Sequence, residues 1–346
     1  MPDGPTPVPV GVCVDCGTEV APTLLACPMC GRLAHAETLK ALSAEADRSA
    51  AGGDPSSALA AWRQALDLLP PDSRQHAAVR QKIEELGRQV ERAPVPRPQR
   101  GGAAKGIAGL GALGLLLWKL KAVVLFAVTK GKALLLGLTK ASTFFSMALS
   151  FSVYWAAWGW KFALGLVLSI YVHEMGHVST LRRYGIAATA PMFIPGFGAL
   201  IRLKQSPSTP REDARTGLAG PLWGFGAAAA ALAVFLWTGA PIWGAIARCG
   251  AWINLFNLIP VWQLDGGRGI RSLSRAQRWV LAAVCGGMWF MSGEGLLLLL
   301  LLAVLFRAMG SDAPKESDPH GLLEFAFLAV ALSMMCMLPV PMEEPR

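Results

Sequence analysis

The chain has 346 residues, of which 53% are hydrophobic and only 16% charged. That is far from the average of a soluble domain, and several apolar segments approach the roughly 20 residues that cross a bilayer, so composition predicts a mainly α, polytopic helical membrane protein. The formal charge of +9 does not point to nucleic acid, because most basic residues flank apolar segments, where the positive-inside bias and anionic lipid headgroups would place them.

Residues 1–34 read as a small zinc ribbon. Cys13-Val-Asp-Cys16 and Cys27-Pro-Met-Cys30 are C-x2-C pairs, and the glycine after each, Gly17 and Gly31, permits a tight turn around a metal. Four thiolates would close the coordination shell, which suits a structural zinc. Two disulfides are the other pairing open to these residues. A reducing compartment disfavours it, and the first 30 residues, with prolines and cysteines but no apolar signal-type run, predict a cytosolic N-terminus. Cys249, Cys285 and Cys336 stand alone in apolar surroundings and read as small hydrophobes.

Residues 35–92 carry helical signals: Leu39, Leu42 and Ala46 on one face, an Asp54-Pro55 start, then Leu59, Trp62, Leu66 and Leu69 before Pro70-Pro71. Ala58, Trp62, Ala65 and Pro70 have the spacing of the second helix of a tetratricopeptide repeat, and a generic helical hairpin fits equally. A Pro/Arg-rich linker is expected at 93–105. In the segment 106–140 the lysines Lys119, Lys121, Lys130, Lys132 and Lys140 interrupt the apolar pattern, and both an interfacial and a spanning reading are open.

Residues 141–339 form the expected membrane core, with a short tail at 340–346. Spans are predicted at Ser142–Trp158 and Phe162–Leu181, then near 216–238, 242–260, 278–291, 295–307 and 321–338. The segment 182–215 holds Arg182, Arg183, Arg202, Lys204, Arg211 and Arg215, and 261–278 holds Arg268, Arg271, Arg275 and Arg278, so both should be cytosolic. Within the first of these, Pro195-Gly196 separates short apolar runs and predicts a membrane-dipping hairpin. It would either pair with a substrate strand or pack over the site as a re-entrant loop.

The chemistry concentrates at His173-Glu174-Met-Gly-His177, inside an apolar run where charge is expensive. On a helix the two imidazoles project from one face and can share a metal ion, with Glu174 beside them to act on water. The second motif is Asn257-Leu-Ile-Pro260-Val-Trp-Gln-Leu264-Asp265-Gly266-Gly267. Pro260 removes a backbone donor and Gly266-Gly267 permit unusual dihedrals, so the helix should loosen and turn Asp265 inward as a third, oxygen ligand. Three protein ligands leave a position for water, as a catalytic site requires.

With both motifs in hand, residues 160–275 resemble the site-2 protease family of intramembrane zinc metalloproteases. His173-Glu174-Met-Gly-His177 matches the family's His-Glu-x-x-His, the second motif matches its Asn-x-x-Pro-x-x-x-Leu-Asp-Gly, and Gly217-Leu-Ala-Gly220-Pro221 looks like the start of its intervening helix. The resemblance implies a zinc ion on His173, His177 and Asp265, Glu174 as general base, and Asn257 near the substrate or the developing oxyanion. No inserted PDZ-like domain fits in the loop 182–215.

The expected protein is therefore a multi-pass zinc endopeptidase of a bacterial cell membrane, cleaving membrane-spanning substrates near the cytosolic face, with one catalytic zinc and one structural zinc. Residues 1–92 would target or regulate it, reaching cytosolic parts of a substrate or a protein partner from a flexible tether without being fixed to the core. A membrane adaptor or a zinc transporter with the same ligands are the competing readings. The intact Glu174, which ligand geometry alone does not need, favours the enzyme.

Overall fold

The computed structural model describes residues 11–92, 131–196, 198–201 and 203–339, with side chains from residue 143 onward in the second segment. The linker at 93–105, the lysine-studded stretch up to residue 130 and the tail after 339 lie outside the described residues.

The N-terminal unit is built from two matching turns. β1 (Gly11–Val12) pairs antiparallel with β2 (Glu19–Val20), and Ala26 bridges Leu33. In each turn the first cysteine's N–H donates across the loop, Cys13 to Thr18 O at 2.9 Å and Cys27 to Arg32 O at 2.8 Å. Gly17 and Gly31 close the turns with φ of +69° and +72°, a conformation that costs little without a Cβ.

Three helices follow: α1 (Ala36–Ala51), α2 (Pro55–Asp67) and α3 (Arg74–Arg92). The expected start of α2 is present: Asp54 accepts from the Ser57 N–H at 3.1 Å, and Pro55 occupies the first helical position, where its missing donor is harmless. Leu59, Trp62 and Ala65 of α2 pack with Ala46 of α1 and with Ile83 and Val90 of α3.

α4 (Gly131–Trp158) reaches back beyond the expected Ser142, so Lys132 and Lys140 lie in one helix with the apolar run. No proline lies between 131 and 158 to stop the helix earlier. Gly159 at φ +82° turns the chain into α5 (Trp160–Arg183). Beyond α5, β3 (Met192–Ile194) pairs antiparallel with β4 (Gly198–Leu200) around the predicted Pro195-Gly196 turn. α4 pins this hairpin: Thr143 Oγ1 donates to Pro191 O at 2.7 Å, Ser146 Oγ accepts from the Phe193 N–H at 3.1 Å, and the Tyr154 hydroxyl accepts from the Gly196 N–H at 3.0 Å.

The remaining helices are α6 (Pro210–Thr238), α7 (Pro241–Asn257), the short α8 (Asp265–Gly269) with a 3-10 turn at Ile270–Ser272, α9 (Arg275–Ser292), α10 (Gly295–Met309) and α11 (Pro319–Cys336). Leu218, Leu255, Leu281, Leu297 and Phe325, one from each of the five longer ones, are completely buried in one core cluster. Outward-facing positions are apolar as well, with Phe145, Leu149, Leu168, Leu236, Phe290, Leu302 and Phe306 exposed. Pro210–Thr238 and Pro319–Cys336 are long and apolar enough to cross a membrane.

The three-helix unit is seated on this core, which corrects the expectation of a module held only by its tether. Leu181, Tyr184 and Ile186, at the end of α5 and just beyond, share one buried cluster with Leu59, Trp62 and Ile83. Ser56 Oγ donates to Arg183 O at 2.9 Å. Gly185 holds φ +63°, and a Cβ there would lie 2.5 Å from Ala60 N, so the two units meet at van der Waals distance on backbone. Apolar periodicity marked Leu59 and Trp62 as a helix face, but nothing local in the sequence says that the face continues onto α5.

Candidate metal centre

The four-residue spacing places the rings of His173 and His177 on one face of α5, with centroids 4.9 Å apart and an interplanar angle of 74°. Their Nε2 atoms are 3.2 Å apart. Asp265, the first residue of α8, brings Oδ2 to 3.1 Å from His173 Nε2 and Oδ1 to 3.2 Å from His177 Nε2. Three ligands at about 2.0–2.2 Å from a tetrahedral zinc would sit roughly 3.3–3.6 Å from one another, so the trio needs only slight opening to hold the ion.

Each imidazole is turned by its other nitrogen. Asn254 on α7 donates its amide N–H to Gly250 O at 2.7 Å, which leaves its Oδ1 to accept from His173 Nδ1 at 2.7 Å. His177 Nδ1 donates to the carbonyl of Thr216 on α6, also at 2.7 Å. With both protons on Nδ1, both Nε2 lone pairs face the common point, the tautomer a metal needs.

α6 fits against this centre because of its glycines. A Cβ at Gly220 would run into Nε2 of His177 and of His173, one at Gly224 into the Asn254 amide, and one at Gly217 would come 2.8 Å from Asp265 O. Gly217, Gly220 and Gly224 recur at three and four residues, so they form one bare face that the α5 histidines, Asn254 of α7 and the start of α8 approach. The Gly-x-x-Gly-Pro element of the sequence is thereby explained by packing.

Asp265 is fixed from the same side. Asp213 near the start of α6 accepts from Arg268 Nε and from Arg271 Nη1, each at 2.7 Å, which clamps α8 and the 3-10 turn to α6. Gly266 and Gly267 do not adopt left-handed dihedrals, contrary to expectation. Gly266 is required by contact instead, since a Cβ there would collide with the Leu258 carbonyl. The predicted loosening is seen one turn earlier, where α7 ends at Asn257 and Val261–Leu264 form a separate turn.

Glu174 is buried beside the two histidines and makes no hydrogen bond among the described residues, so its carboxylate is open to a water or a peptide. Asn257 closes α7 with no hydrogen bond to His173, His177 or Asp265 among the described residues. The amide that meets the site is Asn254, three residues earlier, and its only trace in the sequence is a polar side chain inside an apolar helix.

The second cluster is separate. Cys13, Cys16, Cys27 and Cys30 bring their sulfurs within 4.8 Å of one another. Cys13 and Cys30 are 3.6 Å apart and Cys16 and Cys27 3.5 Å apart, far beyond a disulfide bond of about 2.05 Å, and all four thiols are free. Sulfurs bound to one zinc at about 2.3 Å would be roughly 3.7 Å apart, so the tetrad suits that ion.

Residues 161–247 match the model of Peptidase family M50. The matched segment is similar to M50 peptidases. It spans α5, the hairpin, α6 and the first turns of α7, and so contains both histidines and Glu174, whereas Asp265 follows it. A curated zinc metalloprotease of Methanocaldococcus jannaschii is 30% identical over 128 residues, which are 35% of this chain and 35% of that protein. The chain thus aligns with about a third of that relative's length. No solved structure matches the chain.

Proposed function

We propose that this protein is an intramembrane zinc metalloprotease that hydrolyses peptide bonds of membrane-spanning substrates near the cytosolic face. The observation that carries the reading is the meeting of His173 Nε2, His177 Nε2 and the Asp265 carboxylate at one point, with a buried and unpaired Glu174 alongside. A zinc ion at that point would supply a Lewis acid for the scissile carbonyl and make a water acidic at neutral pH. Glu174 accepts the proton of the attacking water and returns it to the leaving amine nitrogen. Asn254 and the Thr216 carbonyl keep the two imidazoles in the tautomer that leaves Nε2 free.

The apolar outer surface of the helices supports a polytopic arrangement with the centre below the surface of the bilayer. Arg182, Arg183, Arg211, Arg215, Arg268, Arg271 and Arg275 cluster where α5 ends and α6 and α9 begin, and this end is read as cytosolic. The hairpin beside α5 offers a strand edge. Ser146 occupies the outer side of β3 at Phe193 and Thr143 holds Pro191 just before it, while β4 has no further strand partner among the described residues, so an unwound substrate would add to β4.

The test is purified full-length protein in detergent with a single-span substrate. Cleavage should stop with chelator, return with zinc, and be absent in Glu174→Gln. Cleavage that continues after complete removal of metal would exclude the proposal.

A further inference from the structure

Arg63, on α2 of the soluble unit, is completely enclosed, at 3% exposure, between two membrane-core helices. Its guanidinium makes three directed bonds. Nε donates to the carbonyl of Tyr184, the residue capping the C-terminal end of α5, at 3.1 Å. Nη1 donates to Ser208 Oγ at 2.8 Å, and Nη2 donates to Glu212 Oε2 in the first turn of α6 at 2.8 Å. Glu212 is 1% exposed, and its Oε2 also accepts the Ser208 N–H at 2.8 Å. The charges are well placed, since a cation sits at a helix C-terminus and an anion at a helix N-terminus.

We infer that Arg63 is a positioning residue for the zinc ligand His177, acting through α5 and α6. His177 lies two turns before Tyr184 on α5, and Thr216, whose carbonyl orients His177, lies one turn after Glu212 on α6. Thr216 Oγ1 donates to Glu212 O at 2.8 Å, continuing the connection. The chain joining the two helices is the long stretch from Tyr184 to Thr209, whose two strands are too short to set their relative height. The planar fork of Arg63 spans the gap directly and fixes how far α6 slides along α5, and with it the distance from His177 Nδ1 to Thr216 O. Lysine has the charge without the fork and cannot reach all three acceptors.

The inference rests on the metal reading above, and the experiment separates the two. Full-length protein loaded with zinc is mixed with excess chelator, and zinc release is followed over time, the membrane-site phase being the one that Asp265→Ala lacks and the cysteine phase serving as an internal control. Arg63→Lys and Glu212→Gln should release the membrane zinc about tenfold faster while the cysteine phase is unchanged, in line with the effect of groups that orient a metal ligand. If either variant fails to fold, the pair Arg63→Met with Glu212→Met removes both buried charges together and keeps the two units seated. It should show the same faster release. An unchanged membrane phase in a folded Arg63→Lys chain, or in the folded double variant, would overturn the role of Arg63. A wild-type chain without any Asp265-dependent phase would instead remove the metal reading, and the inference with it.

Discussion

Asn254 Oδ1 accepts from His173 Nδ1 at 2.7 Å, across 81 residues of sequence and from a different helix. The bond sets which nitrogen of His173 faces the metal, and the amide is itself held by Gly250 O. Asn254→Leu keeps the volume but cannot accept the Nδ1 proton, so the membrane zinc should bind about 10–100-fold more weakly, measured by competition with a chelator of known affinity. Asn257→Leu, at the position that the family resemblance singles out, should leave zinc affinity unchanged. Equal effects of the two substitutions would contradict the assignment of Asn254.

Metal content should divide between the two clusters. We expect two zinc ions per chain by elemental analysis, with Asp265→Ala losing one and Cys13→Ser with Cys30→Ser losing the other. Retention of both ions in Asp265→Ala would remove the carboxylate from the ligand set.

Glu174→Gln preserves shape and leaves the metal ligands alone. Hydrolysis should fall by roughly 10²–10⁴-fold, the usual loss when a general base is removed, at unchanged zinc stoichiometry. In cells, this variant should accumulate uncleaved membrane proteins whose identity would reveal the substrate. Turnover near the wild-type rate would leave the water without its proton acceptor.

Gly220→Ala should lower membrane zinc content sharply although alanine is the better helix former, because the added methyl group enters the space between the two imidazoles. Gly226→Ala on the same helix meets nothing within 4 Å and serves as the control, with stability unchanged or raised by up to about 1 kcal/mol. Thermal unfolding and zinc analysis of the two variants check this contrast.

Removing residues 11–92 should harm the core itself. Leu181, Tyr184 and Ile186, each at most 3% exposed, would lose their cover, and burial of a large apolar side chain contributes about 1.5–3 kcal/mol. The truncated chain should melt at a lower temperature in detergent and cleave even a short transmembrane peptide poorly. Full activity on such a peptide would restore the sequence-based expectation of a separable targeting module.

What the sequence alone determined is what arises within a turn or two of chain. His173 and His177 must share a helix face because 3.6 residues make a turn, each C-x2-C-Gly must form its knuckle, and the Pro195-Gly196 turn must reverse the hairpin. The apolar runs likewise located the helices of the core, apart from the extension of α4 back to Gly131. Tertiary structure decided everything that depends on how those elements rotate and slide against one another. It brought Asn254 to His173, made Gly217, Gly220 and Gly224 one contact face, and brought Arg63 to Glu212 across 149 residues. The physical reason is that periodicity reports which side of a helix is apolar, whereas partner and register are set by close packing between side chains from distant parts of the chain, and these leave no local pattern in a single sequence.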